Sequence, residues 1–448
     1  MATRRIGARI IIKSTNDLIN QGHRWDGSPE RGRGDRSRLA ERTSAMSLSD
    51  YIQGYPERGE FTGIASFAPA VPAMPSCINR RRLDVFQCYR LLVEKHRETA
   101  PIKAYVAHLR DAVLVTAGGG RRASAMGVAG GPSFAELFAQ SETAEPLLAG
   151  GQAKARFLAG SAAVLTEITA GENYYHWLLT ALPKLLLLMY RYSGLAFEHF
   201  VVNDASAPFV RETLDFLGVP RERIVSTVDH PALRLEHAYV ASLRSELIYP
   251  HALVPEMFRA VFPRSVFLGK HLYITRRHSR RIANEQELLP ILREFHFEIV
   301  DPQELPLAEQ IRSFSQAHCV VCAHGAGLSN MIFSPVRTKV LEIFSPRQVN
   351  PIYWYLAAAC NQEYHYLLSR GEDRPIHEND WRADERSDIT VDPDEFRQAI
   401  IALHLQPSKI GTTPLARTCY SPAPSGSIGA DRPSIPSSDF PAIPCKSP

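Results

Sequence analysis

The chain has 448 residues but lacks any uninterrupted apolar run of about 18 residues, the length that a membrane-spanning helix requires. Its longest apolar stretch, residues 178–190, is interrupted by Pro183 and Lys184. The amino terminus contains arginines, but no apolar segment that precedes a small-residue cleavage site. We therefore expect neither a membrane span nor a signal peptide. We predict a cytoplasmic location, with peripheral association at the inner face of the membrane left open.

Cysteine and net charge are also scarce. The seven cysteines are odd in number and scattered, which argues against a disulfide framework and for a reducing compartment. The net charge is only +4, and residues 1–45 alone carry ten Lys or Arg against five Asp or Glu. Because the basic surplus lies in this one segment, the rest of the chain gives no basis for nucleic-acid binding.

Two short motifs have the form of metal sites, but their contexts argue against metal binding. Cys319 and Cys322 form a CxxC pair on an apolar segment, without the second pair that a zinc site needs. Asp392-Pro393-Asp394 has the DxD form, but Asp and Pro are also typical of the first positions of a helix. We therefore predict no metal ion and no other cofactor, and a helix that begins near Pro393.

The length of the chain exceeds one ordinary core, and strand and helix patterns alternate through its middle. This alternation predicts two Rossmann-like α/β domains that face a cleft. We place a basic tail or mis-assigned start at residues 1–45, one α/β domain at 46–250 and the second at 251–406. A Pro- and Ser-rich tail follows at 407–448. Both tails are predicted to be disordered.

Residues 319–333 read CVVCAHGAGLSNMIF, which predicts a buried strand, a glycine turn and a helix from Leu328 to Phe333. The turn consists of His324, Gly325, Ala326 and Gly327, and Asn330 follows in the first turn of the helix. Glycines let a ligand approach the backbone, and the free N–H groups of a helix start bind phosphate. Ligands also bind at strand ends in open α/β sheets. Alternatively, the glycines only make a tight turn that His324 caps.

A basic loop, RRHSRR at residues 276–281, follows the strand at 271–275 and lies at the same predicted sheet edge. Arg276, Arg277 and Arg281 are candidates for a pyrophosphate site, because the guanidinium fork donates two bonds to oxygens. The alternative is a solvated basic loop. Glu342 lies inside the apolar strand VLEIF and is costly to bury without a partner. A ribose diol or an arginine of the basic loop would satisfy it.

A third candidate segment, ENYYHW at residues 172–177, begins a predicted helix that Asn173 would cap. Histidine titrates near neutral pH, so His176 suits proton abstraction from a hydroxyl. We take His176 and Asn173 as candidate catalytic residues, and the aromatic neighbours could stack on a sugar ring. The alternative is an aromatic helix start that packs in the core.

Three blocks together resemble glycosyltransferase family 61. They are NYYHWLLTALPKL at 173–185, YITRR with RRIANEQEL at 273–288, and AHGAGLSNMIFSPVRTKVLEIF at 323–344. Their order and spacing match as well, over residues 163–360. The family is similar to metal-independent, inverting transferases of the GT-B architecture. It includes eukaryotic protein N-acetylglucosaminyltransferases, plant xylan-decorating enzymes and bacterial polysaccharide enzymes, such as those of capsular polysaccharide and exopolysaccharide biosynthesis.

The resemblance implies an inverting transfer from a nucleotide sugar, most simply a UDP-sugar, to a polysaccharide or glycolipid hydroxyl. The carboxyl-terminal domain would hold the donor and the amino-terminal domain the acceptor. His176 would be the base, and Glu342 would bind the ribose. Arg276, Arg277 and the helix start after Gly325 would stabilise the leaving diphosphate.

One departure from the family pattern bears on the chemistry. Many members have an Asp where this sequence has Thr180, and an Arg where it has Lys184. This difference puts the acid–base assignment in question. It keeps open an alternative from another class of function, a non-catalytic nucleotide-binding subunit of a polysaccharide assembly complex.

Overall fold

The computed structural model describes residues 56–67, 71–77, 82–99, 102–116, 124–128, 133–134, 155–167, 169–243, 253–262, 268–371 and 387–405. The predicted tails at 1–45 and 407–448 lie outside these ranges. The chain divides into two compact units. The first comprises the chain through Gly63 and Tyr105–Ser242, and the second comprises Ile64–Ala104 and the chain from Leu243 onward. The domain boundaries given above, and the cleft between domains, remain predictions.

The fold is mixed α/β, as the alternating pattern predicts. Its strands in chain order are β1 Gly59–Phe67, β2 Ser76–Cys77, β3 Ile102–Thr116, β4 Ser124–Val128, β5 Ser133–Phe134, β6 Arg156–Val164, β7 His199–Val202, β8 Ile224–Ser226, β9 Ala232–Ser242, β10 Lys270–Ile274, β11 Phe297–Val300, β12 Ala317–Ala323, β13 Lys339–Phe344 and β14 Glu363–Leu368.

The helices are α1 Leu83–Thr99, α2 at residues 174–191, α3 Pro208–Phe216, α4 Leu253–Val261, α5 Glu285–Glu294, α6 Leu307–Ser315, α7 Ile352–Ala359 and α8 Pro393–Ala402, with 3₁₀ segments at Pro56–Arg58, Arg221–Arg223 and Ala326–Phe333. Within the described ranges, no helix is both long and apolar enough to cross a membrane.

The first unit contains a mixed sheet in the order β5-β4-β3-β9-β6-β7-β8, with β1 paired to β3. Strands β9, β6, β7 and β8 are parallel neighbours, whereas β3 pairs antiparallel with β9 and β4. The sequence pattern suggests two strands at 103–109 and 112–115, but β3 is continuous through both. Asp111 interrupts the apolar pattern, and its φ of 54° marks a local irregularity inside the strand.

Helix α2 contains a wide turn. Residues Trp177–Ala181 are π-helical, between the α-helical turns Tyr174–His176 and Leu182–Arg191. Pro183 lies two residues after the end of this turn. A proline has no N–H to donate and its ring crowds the carbonyl four residues earlier, which disfavours a regular α turn there. Such π turns occur often at functional sites, and this one follows His176 directly.

A buried ion pair anchors α2 to the end of β6. The Lys184 Nζ lies 2.8 Å from the Glu167 Oε2, and the two side chains are only 8% and 6% exposed. Lys184 also donates to the backbone oxygen of Thr166, and the Glu167 N–H donates to the Asn203 side chain. These bonds join the carboxyl ends of β6 and β7 to the helix.

The second unit contains a parallel sheet in the order β11-β10-β12-β13-β14-β2. One apolar core joins its sheet to α5 and α8. The 3₁₀ segment Ala326–Phe333 contacts α6, α7 and α4. The chain runs from β10 outward to β11, and then back past β10 to β12. The strand order therefore reverses between β10 and β12, and ligands of open α/β sheets bind at such a switch point.

We predict that Lys184→Met destabilises the first unit. The change leaves the Glu167 carboxylate buried without its cation, which costs about 3–5 kcal/mol of unfolding free energy in comparable cases. Urea unfolding, followed by tryptophan fluorescence, measures this loss. Arg221→Met removes the exposed pair with Asp215 and serves as the control, with little change expected. A loss no larger than that of the control would contradict the structural role of the pair.

The second unit should lose stability as the pH falls. Burial lowers the pKa of His271, His318 and His365 below the ordinary value of 6.5. Below that value the unfolded chain binds protons more readily than the folded chain, so the free energy of unfolding falls from about pH 7 downward. Urea unfolding at pH 8, 7, 6 and 5.5 tests this. His365→Gln should reduce the decline between pH 7 and 5.5, and an unchanged decline would rule out its contribution.

Candidate functional site

The glycine turn follows β12 at the switch point. His324 extends the parallel ladder, because its backbone N–H donates to the Ile343 oxygen at 2.9 Å. Gly325 is extended, with φ 164° and ψ 169°, and the helix that follows is 3₁₀ over Ala326–Phe333. It therefore starts earlier and is wound more tightly than the predicted helix, which begins at Leu328. The first N–H groups of a helix have no partner within it, so this end remains a donor surface.

Arg276 lies directly against Gly325. A Cβ built on Gly325 would overlap the Arg276 Nη1, so no larger residue fits while the guanidinium stays in place. The Arg276 Nε donates to the Ser279 backbone oxygen at 2.9 Å, which fixes the approach of the side chain. A Cβ on Gly327, by contrast, would make only ordinary contacts at 3.7 Å. Gly325 is therefore required for the close approach of Arg276, and Gly327 is not.

Glu342 is fully buried and binds two side chains. Its Oε1 lies 2.5 Å from the His324 Nδ1, and the Tyr364 hydroxyl donates to its Oε2. The strand register explains the arrangement, since Glu342 pairs with Cys322 on one side and Tyr366 on the other. His324 and Tyr364 lie two residues from those positions, on the same face and diagonal to Glu342. Burial, and next the charge of Glu342, raises the pKa of Tyr364 well above its usual value.

The His324 ring is enclosed by aromatic side chains. It stacks on Phe344 with centroids 5.2 Å apart and meets Tyr353 edge-on at 5.7 Å. The Tyr353 hydroxyl donates to the Gly325 oxygen at 2.9 Å and lies 3.1 Å from the Ser329 hydroxyl. The turn is therefore held in place at two points. The His324 ring packs against Phe344 and Tyr353, and the backbone oxygen of Gly325 accepts a hydrogen bond from Tyr353.

The other two candidate arginines bind acidic side chains. Arg277 contacts Asp301 and Glu304, whose hydrogen bonds raise the pKa of its guanidinium. Arg281 binds Asp388, with its Nε 3.0 Å from Oδ2 and its backbone N–H 3.0 Å from Oδ1. Both arginines are about half exposed. The basic loop is thus neutralised in part, whereas Arg276 reaches the glycine turn.

Asn330 makes a structural contact with Gln310. It is buried, and its Nδ2 donates to the Gln310 Oε1 at 2.8 Å. Gln310 in turn donates to the backbone oxygens of Pro302 and Leu305, both at 2.8 Å. Asn330 therefore ties the 3₁₀ segment to the loop before α6, and the structure places its side chain in the interior.

The candidate residues Asn173 and His176 belong to the first unit. Asn173 caps α2 as predicted, because its Oδ1 accepts from the Tyr175 N–H at 2.9 Å. His176 is half-buried, and Thr180 donates to its backbone oxygen. Tyr175 and Trp177 are 4% and 1% exposed, so these two rings pack in the core and cannot stack on a sugar here.

The DxD and CxxC motifs have structural roles in the fold. Asp392 caps α8, since its side chain accepts from the N–H groups of Asp394 and Glu395. Cys319 and Cys322 are buried, and burial raises the pKa of the Cys322 thiol to about 12. In the part of the chain that the structure describes, no three His, Cys, Asp or Glu side chains form a group that could hold a metal ion.

The structure thus brings together Arg276, His324 and the backbone of Gly325 to Gly327 at the carboxyl ends of β10 and β12. Glu342 lies behind them. Sequence patterns did not reveal Tyr353 or Tyr364, which fix this turn. A strand register would have found Tyr364, since alternation places it on the face of Glu342. Tyr353 carries no such signal, because its hydroxyl reaches the turn from a separate helix.

These features define a mixed α/β protein with a candidate ligand site at the switch point of its second sheet. A family model described as Glycosyltransferase 61 matches residues 174–341. The match confirms the family resemblance of the motifs over these residues, and a domain of this kind supports glycosyltransferase activity, with a sugar donor and an acceptor in general. Asn173 and Glu342 lie one residue beyond either end of the match. No curated protein shows significant similarity to the chain.

Proposed function

We propose that this glycosyltransferase transfers a sugar from a nucleotide sugar, UDP-linked in the simplest case, to a polysaccharide or glycolipid hydroxyl with inversion of the anomeric carbon. The observation that carries the proposal is the contact of Arg276 with Gly325 at the switch point between β10 and β12. This contact puts a guanidinium beside the free N–H groups of a helix start, and both are groups that bind phosphate oxygens.

In the proposed reaction the acceptor oxygen attacks the anomeric carbon while the bond to the diphosphate oxygen breaks. The departing diphosphate gains negative charge, which Arg276 and the N–H groups after Gly325 stabilise. His176 takes the acceptor proton. Arg277 adds positive charge at the same edge, although its carboxylate partners Asp301 and Glu304 reduce its effect. Arg281 shapes the loop through Asp388.

A ribose role for Glu342, which the family resemblance suggests, would require its existing bonds to break. Both oxygens are bound, one to His324 and one to Tyr364, and the side chain has no exposed surface. Breaking two hydrogen bonds to a buried carboxylate costs several kcal/mol in total, at about 1.5–3 kcal/mol for each. We therefore propose that Glu342 acts through His324.

Gly325→Ala should weaken nucleotide binding because its methyl group displaces the Arg276 guanidinium. Loss of a charge-assisted bond to phosphate corresponds to roughly 10- to 100-fold weaker binding of UDP. Titration calorimetry with UDP measures this, and Gly327→Ala, which has room for its methyl group, is the matched control.

The same mechanism predicts that the two changes are not additive. Arg276→Ala should weaken UDP binding to a similar extent, and Arg276→Ala combined with Gly325→Ala should be no worse than Arg276→Ala alone. Unchanged UDP affinity in Arg276→Ala would reject Arg276 as the phosphate ligand. If the native enzyme binds another nucleotide but not UDP, the assignment of the donor changes to that nucleotide, and the assignment of the phosphate site is unaffected.

His176→Ala should lower kcat by about 10²–10⁴-fold, the usual contribution of a general base, while UDP affinity stays near that of the native enzyme. Release of UDP from a UDP-sugar in the presence of a polysaccharide or glycolipid acceptor measures the rate. A His176→Ala enzyme with native kcat would eliminate His176 as the base. Parallel assays with GDP, CMP and dTDP sugars identify the donor nucleotide.

A further inference from the structure

We propose that residues 388–392, which we call the strap, hold the basic loop so that Arg276 meets the glycine turn, and that Asn284 and Asp388 are positioning residues in this support. This inference deepens the proposed function and rests on it. It adds to the phosphate site a segment whose first residue lies 107 positions after Arg281 in the sequence.

The strap pairs with the chain that leaves the basic loop. The Ile389 N–H donates to the Arg281 oxygen, and the Ala283 N–H donates to the Ile389 oxygen, both at 2.8 Å. The Asn284 side chain continues this pattern, because its Nδ2 donates to the Val391 oxygen at 2.7 Å and its Oδ1 accepts from the Val391 N–H at 3.0 Å. The amide group of Asn284 therefore takes the place of a further backbone pair, and the strap follows the loop end closely.

Asp388 fixes the last residue of the basic loop through both of its oxygens. Its Oδ1 accepts from the Arg281 backbone N–H, and its Oδ2 accepts from the Arg281 Nε, each at 3.0 Å. The two side chains are 29% and 54% exposed, so their charge attraction contributes little. The bond to the backbone N–H is the one that determines the course of the chain.

The strap is itself held by the rest of the second unit. Ile389 and Val391 are 6% and 0% exposed, and both belong to the apolar core that also contains Ile282. The Arg370 N–H donates to the Thr390 oxygen at 2.7 Å, which joins the strap to the chain after β14. The strap is therefore a fixed support for the loop end that it contacts.

The beginning of the basic loop is fixed as well. Thr275, which directly precedes Arg276, donates from its hydroxyl to the Glu285 Oε1 at 2.9 Å. Its backbone N–H donates to the Val300 oxygen at 3.0 Å. With both ends held, residues 276–281 have few backbone conformations open to them.

The effect on the site passes through the Ser279 carbonyl. This oxygen accepts from the Arg276 Nε at 2.9 Å, and it lies two residues before Arg281. Arg280, between them, has a φ of 58°, a left-handed value that a residue other than glycine keeps only where its surroundings impose it. A strap that fixes Arg281 therefore directs the Ser279 carbonyl, and through it the guanidinium that lies on Gly325.

The test measures UDP affinity by titration calorimetry in three variants. Asp388→Ala removes the bonds to Arg281, and Asn284→Ala removes the bonds to Val391, so we expect each to weaken UDP binding by roughly three- to tenfold. Asp388→Asn keeps an oxygen for the Arg281 N–H and should restore binding to within about twofold of the native value. Such a rescue distinguishes support of the backbone from an effect of charge.

Coupling to Arg276 distinguishes positioning from a general loss of stability. If the strap acts through Arg276, Asp388→Ala should cause little further loss of UDP affinity when it is added to Arg276→Ala. A variant that only loosened the fold would cause the same loss in both backgrounds.

Glu294→Gln is the matched control. Arg397 and Glu294 join α8 to α5 by a two-bond ion pair, and their side chains are exposed to nearly the same degree as those of Arg281 and Asp388. Glu294 lies at the other end of α5 from the basic loop, so this variant should bind UDP as the native enzyme does. Circular dichroism and thermal unfolding identify folded variants, and Asn284→Ala tests the strap even if Asp388→Ala does not fold.

The outcomes separate this inference from the function on which it rests. A native enzyme that does not bind UDP would reject the donor assignment itself. A native enzyme that binds UDP and loses affinity in Arg276→Ala, with folded Asp388→Ala and Asn284→Ala variants at native affinity, would overturn the strap alone. Equal losses with and without Arg276 would overturn it too. Tighter UDP binding in Asp388→Asn would have the same consequence, because the carboxylate would then compete with phosphate for Arg281.

Discussion

The fully buried carboxylate of Glu342 constrains the whole glycine turn. It lies in the middle of β13, where the neighbouring residues are apolar, and it can remain there only because His324 and Tyr364 bond to it. Since His324 is the residue that begins the turn, satisfying the carboxylate also fixes where the turn starts. Tyr353 then holds the Gly325 carbonyl, and the open side of Gly325 is left for Arg276. One buried charge in this way organises the donor groups around it.

The strand order supplies the second constraint. Because β10 and β12 are adjacent and parallel, their carboxyl ends lie side by side, and the residues that follow them meet. Arg276 follows β10 and His324 follows β12, so their proximity depends on topology although 48 positions separate them in the sequence. The acidic residues that bind Arg277 and Arg281 come from other segments, after β11 and before α8. Arg276, by contrast, lies against the turn itself.

The local parts of this arrangement were predictable from the sequence, and the long-range parts were not. The strand, the glycine turn, the following helix and the caps Asn173 and Asp392 depend on residues within a few positions of each other. The partner of Glu342 was expected to be a ribose or an arginine, because choosing His324 requires the register of β12 and β13. The hydrogen bond between Asn330 and Gln310 also had no local signal, and a ligand role for Asn330 stays a prediction. The association of residues 64–104 with the second unit had no signal in the local pattern.

The departure from the family pattern in α2 has a physical explanation at one of its two positions. Lys184 uses its ammonium group as a point donor, to one Glu167 oxygen and to the Thr166 carbonyl. That geometry does not need the two-pronged fork of an arginine, so a lysine satisfies it. At the other position, Thr180 donates to the His176 carbonyl inside the π turn and brings no carboxylate near it. The Thr180 position therefore supplies no acid for His176, which makes the His176 assignment the most informative one to test by kinetics.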